Sequence, residues 1–321
     1  MALVDMTFEN PVYLWYLLSI PLLVYTHFYF FKHSKLKAVK FANFEALKRV
    51  TGEKLITKNI ILLVLRVFVL LCIIFAASGA VLWYEGGVSE NDFVIAIDTS
   101  ASMAAKDMAP SRIEAAKKAA VEFVDNLDSR SSIGVVSFSG VTFIDSVLID
   151  NKESVKKTIE NIEISRTGGT DIAGAIITST NLLLNSDKGK TIILITDGSN
   201  TVGAFIEDSV RNGVEYAALN HVVVHTIGVG SESGPIGYLP EYYNISAVYN
   251  ENTLKLISNT TGGYYFKAMS EEELAQAYKE IGRASKKGFI PVKLSYGLML
   301  IALMLLFFEW GLISTRFRRI P

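Results

Sequence analysis

Cysteine is almost absent from this 321-residue chain: Cys72 stands alone, inside a long apolar run. No disulfide can form within the chain, so a folded domain here must be stable from its own packed core. Histidine is scarce as well, with four residues, and His221 and His225 alternate along a β-branched stretch. That is strand spacing rather than metal-ligand spacing, and it reads them as structural. Lysine and arginine are missing ahead of residue 11, where Asp5 and Glu9 stand instead. A cleaved signal peptide begins with basic residues, so a retained membrane span is the better reading of the apolar run that starts at residue 11. The formal net charge of -1 carries no basic excess pointing to nucleic acid.

Apolar residues are what the chain has in plenty, 50% of it, for a mean hydropathy of +0.33. Three runs reach the roughly 20 residues needed to cross a bilayer: 11–31, 60–83 and 294–313. Pro21 and several tyrosines interrupt the first, Arg66 the second and Glu309 the third. Charge is segregated around them. Of the 32 acidic and 31 basic residues, 27 and 16 lie within 85–285. The basic remainder clusters as Lys32, Lys35, Lys37, Lys40, Lys48, Arg49, Lys54 and Lys58 between the first two runs, and as Arg316, Arg318 and Arg319 at the end. Basic loops mark the cytoplasmic side. Arg283, Lys286, Lys287 and Lys293 pull the other way, but long translocated domains respond weakly to charge, and Glu85, Glu90 and Asp92 flank the second run on the outer side. The expected organisation is an external N-terminus (1–10), a transmembrane helix (11–31), a basic cytoplasmic loop (32–59), a second helix (60–84), an external domain (91–285), a third helix (293–313) and a cytoplasmic tail (314–321). The basic loop suits a lipid surface better than a nucleic acid. Arg66 and Glu309 lie at matching depths, roughly 9 Å and 7 Å from the cytoplasmic ends of their spans, and are expected to pair within the membrane.

Between the second and third runs, strand and helix patterns alternate. Strands are expected at 92–97, 132–138, 141–148, 190–196, 221–229 and 264–266, and helices at 112–127, 152–162, 172–184, 204–219, 252–259 and 271–283. Ser139-Gly140 joins two of the strands as a hairpin with an antiparallel edge. The fold class is α/β, a mainly parallel, doubly wound sheet with helices on both faces, plus three transmembrane helices. Residues 231–250 break the rhythm with Pro235, Pro240, Tyr238, Tyr242, Tyr243 and Tyr249; a protein contact surface and a loop packed by its own tyrosines are both open. Asn244 and Asn259 begin glycosylation sequons, a sequence that chance supplies often.

The chemistry gathers at strand ends. Asp98-Thr99-Ser100-Ala101-Ser102 follows the first buried strand, where open α/β sheets place ligands. A carboxylate and two hydroxyls at alternate positions of a tight loop suit a hard cation, Mg²⁺ above all. Alone, a D-x-S-x-S string arises by chance in roughly one chain in ten of this length. Two further loops add weight: Thr167-Gly168-Gly169-Thr170-Asp171 before a helix, and Asp197-Gly198 after another strand. Asp171 is open between a helix-start acid and a group supporting the metal ligands.

These loops resemble the von Willebrand factor A (VWA) domain, whose metal-ion-dependent adhesion site joins D-x-S-x-S to a Thr and an Asp from two other loops. Asp98, Ser100, Ser102, Thr170 and Asp197 occupy the five positions, with Thr167 and Asp171 as neighbours that would support them. The resemblance implies Mg²⁺ (or Mn²⁺), a coordination position completed by the carboxylate of a protein ligand, and binding rather than catalysis. An adhesin or receptor would use the same site. A Mg²⁺-dependent phosphotransferase also starts from an Asp at a strand end, but Ser100 stands where its second acid belongs. Asn10-Pro11, the basic loop, a span running into the D-x-S-x-S-Met loop, and Asp107-Met108-Ala109-Pro110-Ser111-Arg112 together resemble the BatA/BatB aerotolerance membrane proteins. That resemblance implies a MoxR-type AAA+ ATPase and other VWA membrane proteins as partners.

Overall fold

The computed structural model describes residues 4–40, 60–87, 90–127, 130–198, 206–230, 250–284 and 287–315. Along the chain come β1 (Val4–Phe8), α1 (Ser19–Lys40), α2 (Ile60–Ala77), β2 (Ala80–Gly87), β3 (Asn91–Asp98), α3 (Arg112–Asn126), β4 (Ile133–Phe138), β5 (Thr142–Ile149), α4 (Lys152–Glu160), α5 (Ile172–Leu183), β6 (Gly189–Thr196), α6 (Ile206–Leu219), β7 (Val222–Val229), α7 (Glu251–Thr261), β8 (Tyr265–Ala268), α8 (Glu271–Ala284), β9 (Lys287–Lys293) and α9 (Ser295–Thr315). Two compact units result, residues 1–84 with 291–321, and residues 85–290.

In the first unit, three helical segments are long and apolar enough to cross a membrane: Pro11–Tyr29, Ile60–Ala77 and Ser295–Thr315. The first opens as a 3₁₀ helix, Pro11–Leu18, and continues into α1. Pro21 falls in the first turn of α1, just after the change from 3₁₀ to α geometry. The helix continues to Lys40, so the expected loop begins as helix; 41–59 lie outside the described residues.

The second span is shorter than its apolar run. It ends at Ala77, where Ser78 Oγ donates to Phe75 O (2.9 Å) and Gly79 takes φ +65°, a left-handed helix stop. The rest of the run is β2, antiparallel to β1 with Thr7 opposite Val81. Apolarity alone does not separate strand from helix, and the expected 60–84 helix is corrected to 60–77. At about 27 Å, those 18 residues still nearly match a hydrocarbon core. A three-stranded sheet, β1-β2-β9, thus occupies the expected external N-terminus, the end of the expected second helix and the segment ahead of the third. Trp83 Nε1 donates to Thr7 Oγ1 (2.7 Å) across it. Helices α2 and α9 bury Val69, Cys72 and Ala302 against Leu298 and Leu305, and Arg66 Nε donates to Glu309 Oε1 at 2.6 Å.

The second unit is a six-stranded sheet in the order β5-β4-β3-β6-β7-β8. Strands β3, β4, β6, β7 and β8 run parallel; β5 is the antiparallel edge, joined to β4 by the hairpin. Strand side chains alternate, and each face therefore has its own core. Phe93, Ile95 and Ile97 pack with α3, α4 and α8, while Val94 and Ala96 pack with α5, α6 and α7. Helices cover both faces, so β3, β4, β6 and β7 are buried over their whole length and are mainly apolar. From β3 the chain winds first to β4, then returns across β3 to β6. The winding direction changes at β3, and this opens a crevice beyond its carboxyl end.

Candidate functional site

Asp98 is the last residue of β3, and it lies in that crevice, fully buried. Asp98 Oδ1 accepts the Ser100 N–H (2.8 Å), and Oδ2 accepts the Thr196 hydroxyl (2.6 Å) from the end of β6. The next residues form a 3₁₀ turn, Ala101–Ala104, which folds Ser102 back so that its Oγ lies 3.0 Å from Ser100 Oγ. Thr99 is committed to the fold, its N–H and hydroxyl both donating to Phe138 O.

The second loop is pinned to the same strand ends. Ser165 N–H donates to Thr99 O (2.9 Å), Asp171 N–H to Ser139 O (2.6 Å), and the hydroxyls of Ser139 and Thr167 meet at 2.6 Å. Thr170 is buried within it. Asp171 resolves as the N-cap of α5, its Oδ1 accepting the Gly174 N–H at 2.9 Å. Thr167 binds Ser139 and Ser165, and so ties the loops together. The third loop follows β6, with Asp197 1% exposed and Gly198 at φ +80°, where Asn250 O leaves no room for a Cβ. Of the five expected ligands only Ser102 is not fully buried, so the site opens on its side.

Burial and the nearby charge of Asp197 push the Asp98 carboxyl up to about 7. Two buried carboxylates and three hydroxyls offer hard oxygen donors, and their repulsion is relieved by a cation. The 3.0 Å between Ser100 and Ser102 matches adjacent corners of an octahedron with metal–oxygen bonds of about 2.1 Å. Among the described residues no group of three or more His, Cys, Asp or Glu forms a metal cluster. The donor set is oxygen throughout and rich in hydroxyls, as a hard cation takes.

The structure adds a residue to this site that sequence reasoning passed over. Arg112 opens α3 with a side chain only 1% exposed, forked onto Asp107 through Nε to Oδ1 (2.8 Å) and Nη2 to Oδ2 (2.6 Å). Its Nη1 lies 3.8 Å from Asp197 Oδ2. Both residues stand in the Asp107 to Arg112 segment, but nothing in their spacing announces that an arginine at a helix start will be buried.

Comparison with known proteins places the fold. Residues 93–200 match the family model of the von Willebrand factor type A domain, and residues 3–79 match that of the aerotolerance regulator N-terminal region, BatA. The chain is a membrane protein built on a VWA domain. More narrowly, it is a VWA protein of the BatA type. A UPF0353 protein of Nocardia farcinica is 28% identical over 271 residues, covering 78% of this chain and 81% of that one. The crystal structure of BatB from Bacteroides thetaiotaomicron shares 29% identity with a TM-score of 0.51, covering 60% of this chain and 98% of that one. An aerotolerance-related membrane protein from Bacteroides fragilis shares 25% identity with a TM-score of 0.53 and the same coverage.

Proposed function

We propose that the chain is a membrane-anchored binding protein whose VWA domain takes an acidic group of a protein partner through a divalent cation. Mg²⁺ (or Mn²⁺) is held by the hydroxyls of Ser100, Ser102 and Thr170, with Asp98 and Asp197 coordinating directly or through water, and the partner's carboxylate completes the coordination. The observation that carries this reading is the Ser100–Ser102 hydroxyl pair, 3.0 Å apart beside two buried carboxylates. Binding rather than catalysis is supported by the partners of Asp98: the Ser100 amide and Thr196 hydroxyl keep it a fixed acceptor instead of freeing it as a nucleophile. The spans cross the membrane three times with the VWA domain outside, a reading supported by the basic residues at 32–58 and 316–319. A MoxR-type AAA+ ATPase and other VWA membrane proteins are the expected partners in an assembly or activation system, a reading supported by the BatA-type N-terminal region.

Calorimetry on the full chain in detergent is expected to show Mg²⁺ or Mn²⁺ binding that Asp98→Ala abolishes; no binding by the folded wild type would reject the site. Crosslinking in intact membranes identifies the partner. For sidedness, in a Cys72→Ala background a membrane-impermeant thiol reagent is expected to label Asp150→Cys and to miss Ser34→Cys. The reverse labelling would invert the topology.

A further inference from the structure

Burying an arginine is costly, and a protein that does so builds a place for it. The place for Arg112 is made partly by Gly230, at the end of β7: a Cβ there would lie 2.5 Å from Arg112 Cζ, and the glycine's φ of +124° bars other residues. Asp107 holds two edges of the guanidinium, while Nη1 has no hydrogen-bond partner among the described residues and faces Asp197 at 3.8 Å. Arg112 thus brings a positive charge to within 3.8 Å of a carboxylate that the cation reading assigns to the metal.

We infer that Arg112 is a resident counter-ion of the cation site, a positioning residue that steadies Asp197 before the metal binds and repels the metal once it is there. Asp107 sets how much of that positive charge Asp197 feels. The inference rests on the divalent-cation reading given above.

Two perturbations then act in opposite directions. Arg112→Gln removes the positive charge that Asp197 faces at 3.8 Å, so the metal-free protein loses stability while the divalent ion, no longer repelled by it, binds about five- to tenfold more tightly. Asp107→Asn leaves Arg112 with Asp197 as its remaining carboxylate neighbour among the described residues, and the ion binds more weakly by a similar factor. An arginine that merely braced the 105–112 loop would give no such reversal of sign, because damage to the loop weakens binding in both variants.

The test uses the full chain in detergent, with Mn²⁺ alone as the probe. Dissociation constants come from the electron paramagnetic resonance signal of free Mn²⁺, and thermal unfolding is followed by circular dichroism in EDTA. Tighter binding by Arg112→Gln together with weaker binding by Asp107→Asn supports the inference, as does an Arg112→Gln protein that folds only when Mn²⁺ is present. Changes of the same sign, or none, overturn it while leaving the cation site standing. If Arg112→Gln does not fold under either condition, Asp107→Asn decides: weaker binding supports, unchanged or tighter binding overturns. Absence of Mn²⁺ binding in the folded wild type and both variants overturns the cation site and this inference together.

Discussion

Replacing Asp98 with Asn is expected to stabilise the metal-free protein while ending its response to divalent cations. The amide keeps the shape of the carboxylate: its oxygen can still accept the Ser100 N–H, and its nitrogen can donate to Thr196 Oγ1, which already accepts the Gly198 N–H. What disappears is a buried charge beside Asp197. Burial and that neighbour raise the Asp98 carboxyl from 3.8 to about 7. At about 1.4 kcal/mol per pH unit, the ionised group costs the metal-free fold on the order of 4 kcal/mol at pH 8. In a domain of this size that is roughly 5–15 °C in Tm. The sign comes from proton binding. The folded value lies above the unfolded one, so the folded state holds more protons between about pH 4 and 7, and the wild type loses this contribution as pH rises through that window. The Asp98→Asn variant has no such slope. Trp15, Trp83 and Trp310 all lie outside 91–285, so tryptophan fluorescence is the wrong probe, and far-ultraviolet circular dichroism or amide exchange of β3 is used in EDTA. A variant no more stable than wild type at pH 8, or one still stabilised by Mg²⁺, would refute the reasoning.

Other perturbations act on neighbouring contacts. His225 Nδ1 accepts the Tyr264 N–H at 3.0 Å, and burial lowers its pKa to about 4. Its contribution, about 3 kcal/mol, is present above pH 6.5 and lost as pH falls toward 4, and His225→Phe should flatten that limb of the stability profile. It runs against the Asp98 slope and cancels in the difference between wild type and Asp98→Asn. Arg66→Glu and Glu309→Arg should each lower detergent-resistant thermal stability, with the double swap recovering on the order of 1 kcal/mol of coupling; silent single variants, or losses that add, reject the pair. Gly230→Ala should cost several kcal/mol, on the order of 2–4, by pressing its methyl group into the Arg112 guanidinium at a strained φ; a chemical-denaturation midpoint equal to wild type would contradict the packing.

The sequence by itself determined the α/β architecture of the 91–285 region and the place of its site. A strand buried on both faces is apolar along most of its length, so β3, β6 and β7 announce themselves as apolar runs rich in β-branched residues, and polar residues directly after them lie at strand ends. The three apolar spans were legible for a similar reason, since a bilayer demands length and apolarity that few soluble helices match. Tertiary structure decided the rest. Whether Ala80 to Trp83 finishes a helix or starts a strand depends on β1 and β9 lying alongside, and no local pattern carries that. Asp171 acts as a helix cap because α5 begins beside it, although its position among the loops suggested a metal neighbour equally well. Arg112 is the clearest case. In sequence it is a charged residue at a helix start, ordinarily solvated, and only the convergence of Asp107, Asp197 and the bare backbone of Gly230 makes it part of the site. Periodicity reports which face of an element is buried; what waits on that face comes from residues distant in the chain, and a one-dimensional pattern holds no record of them.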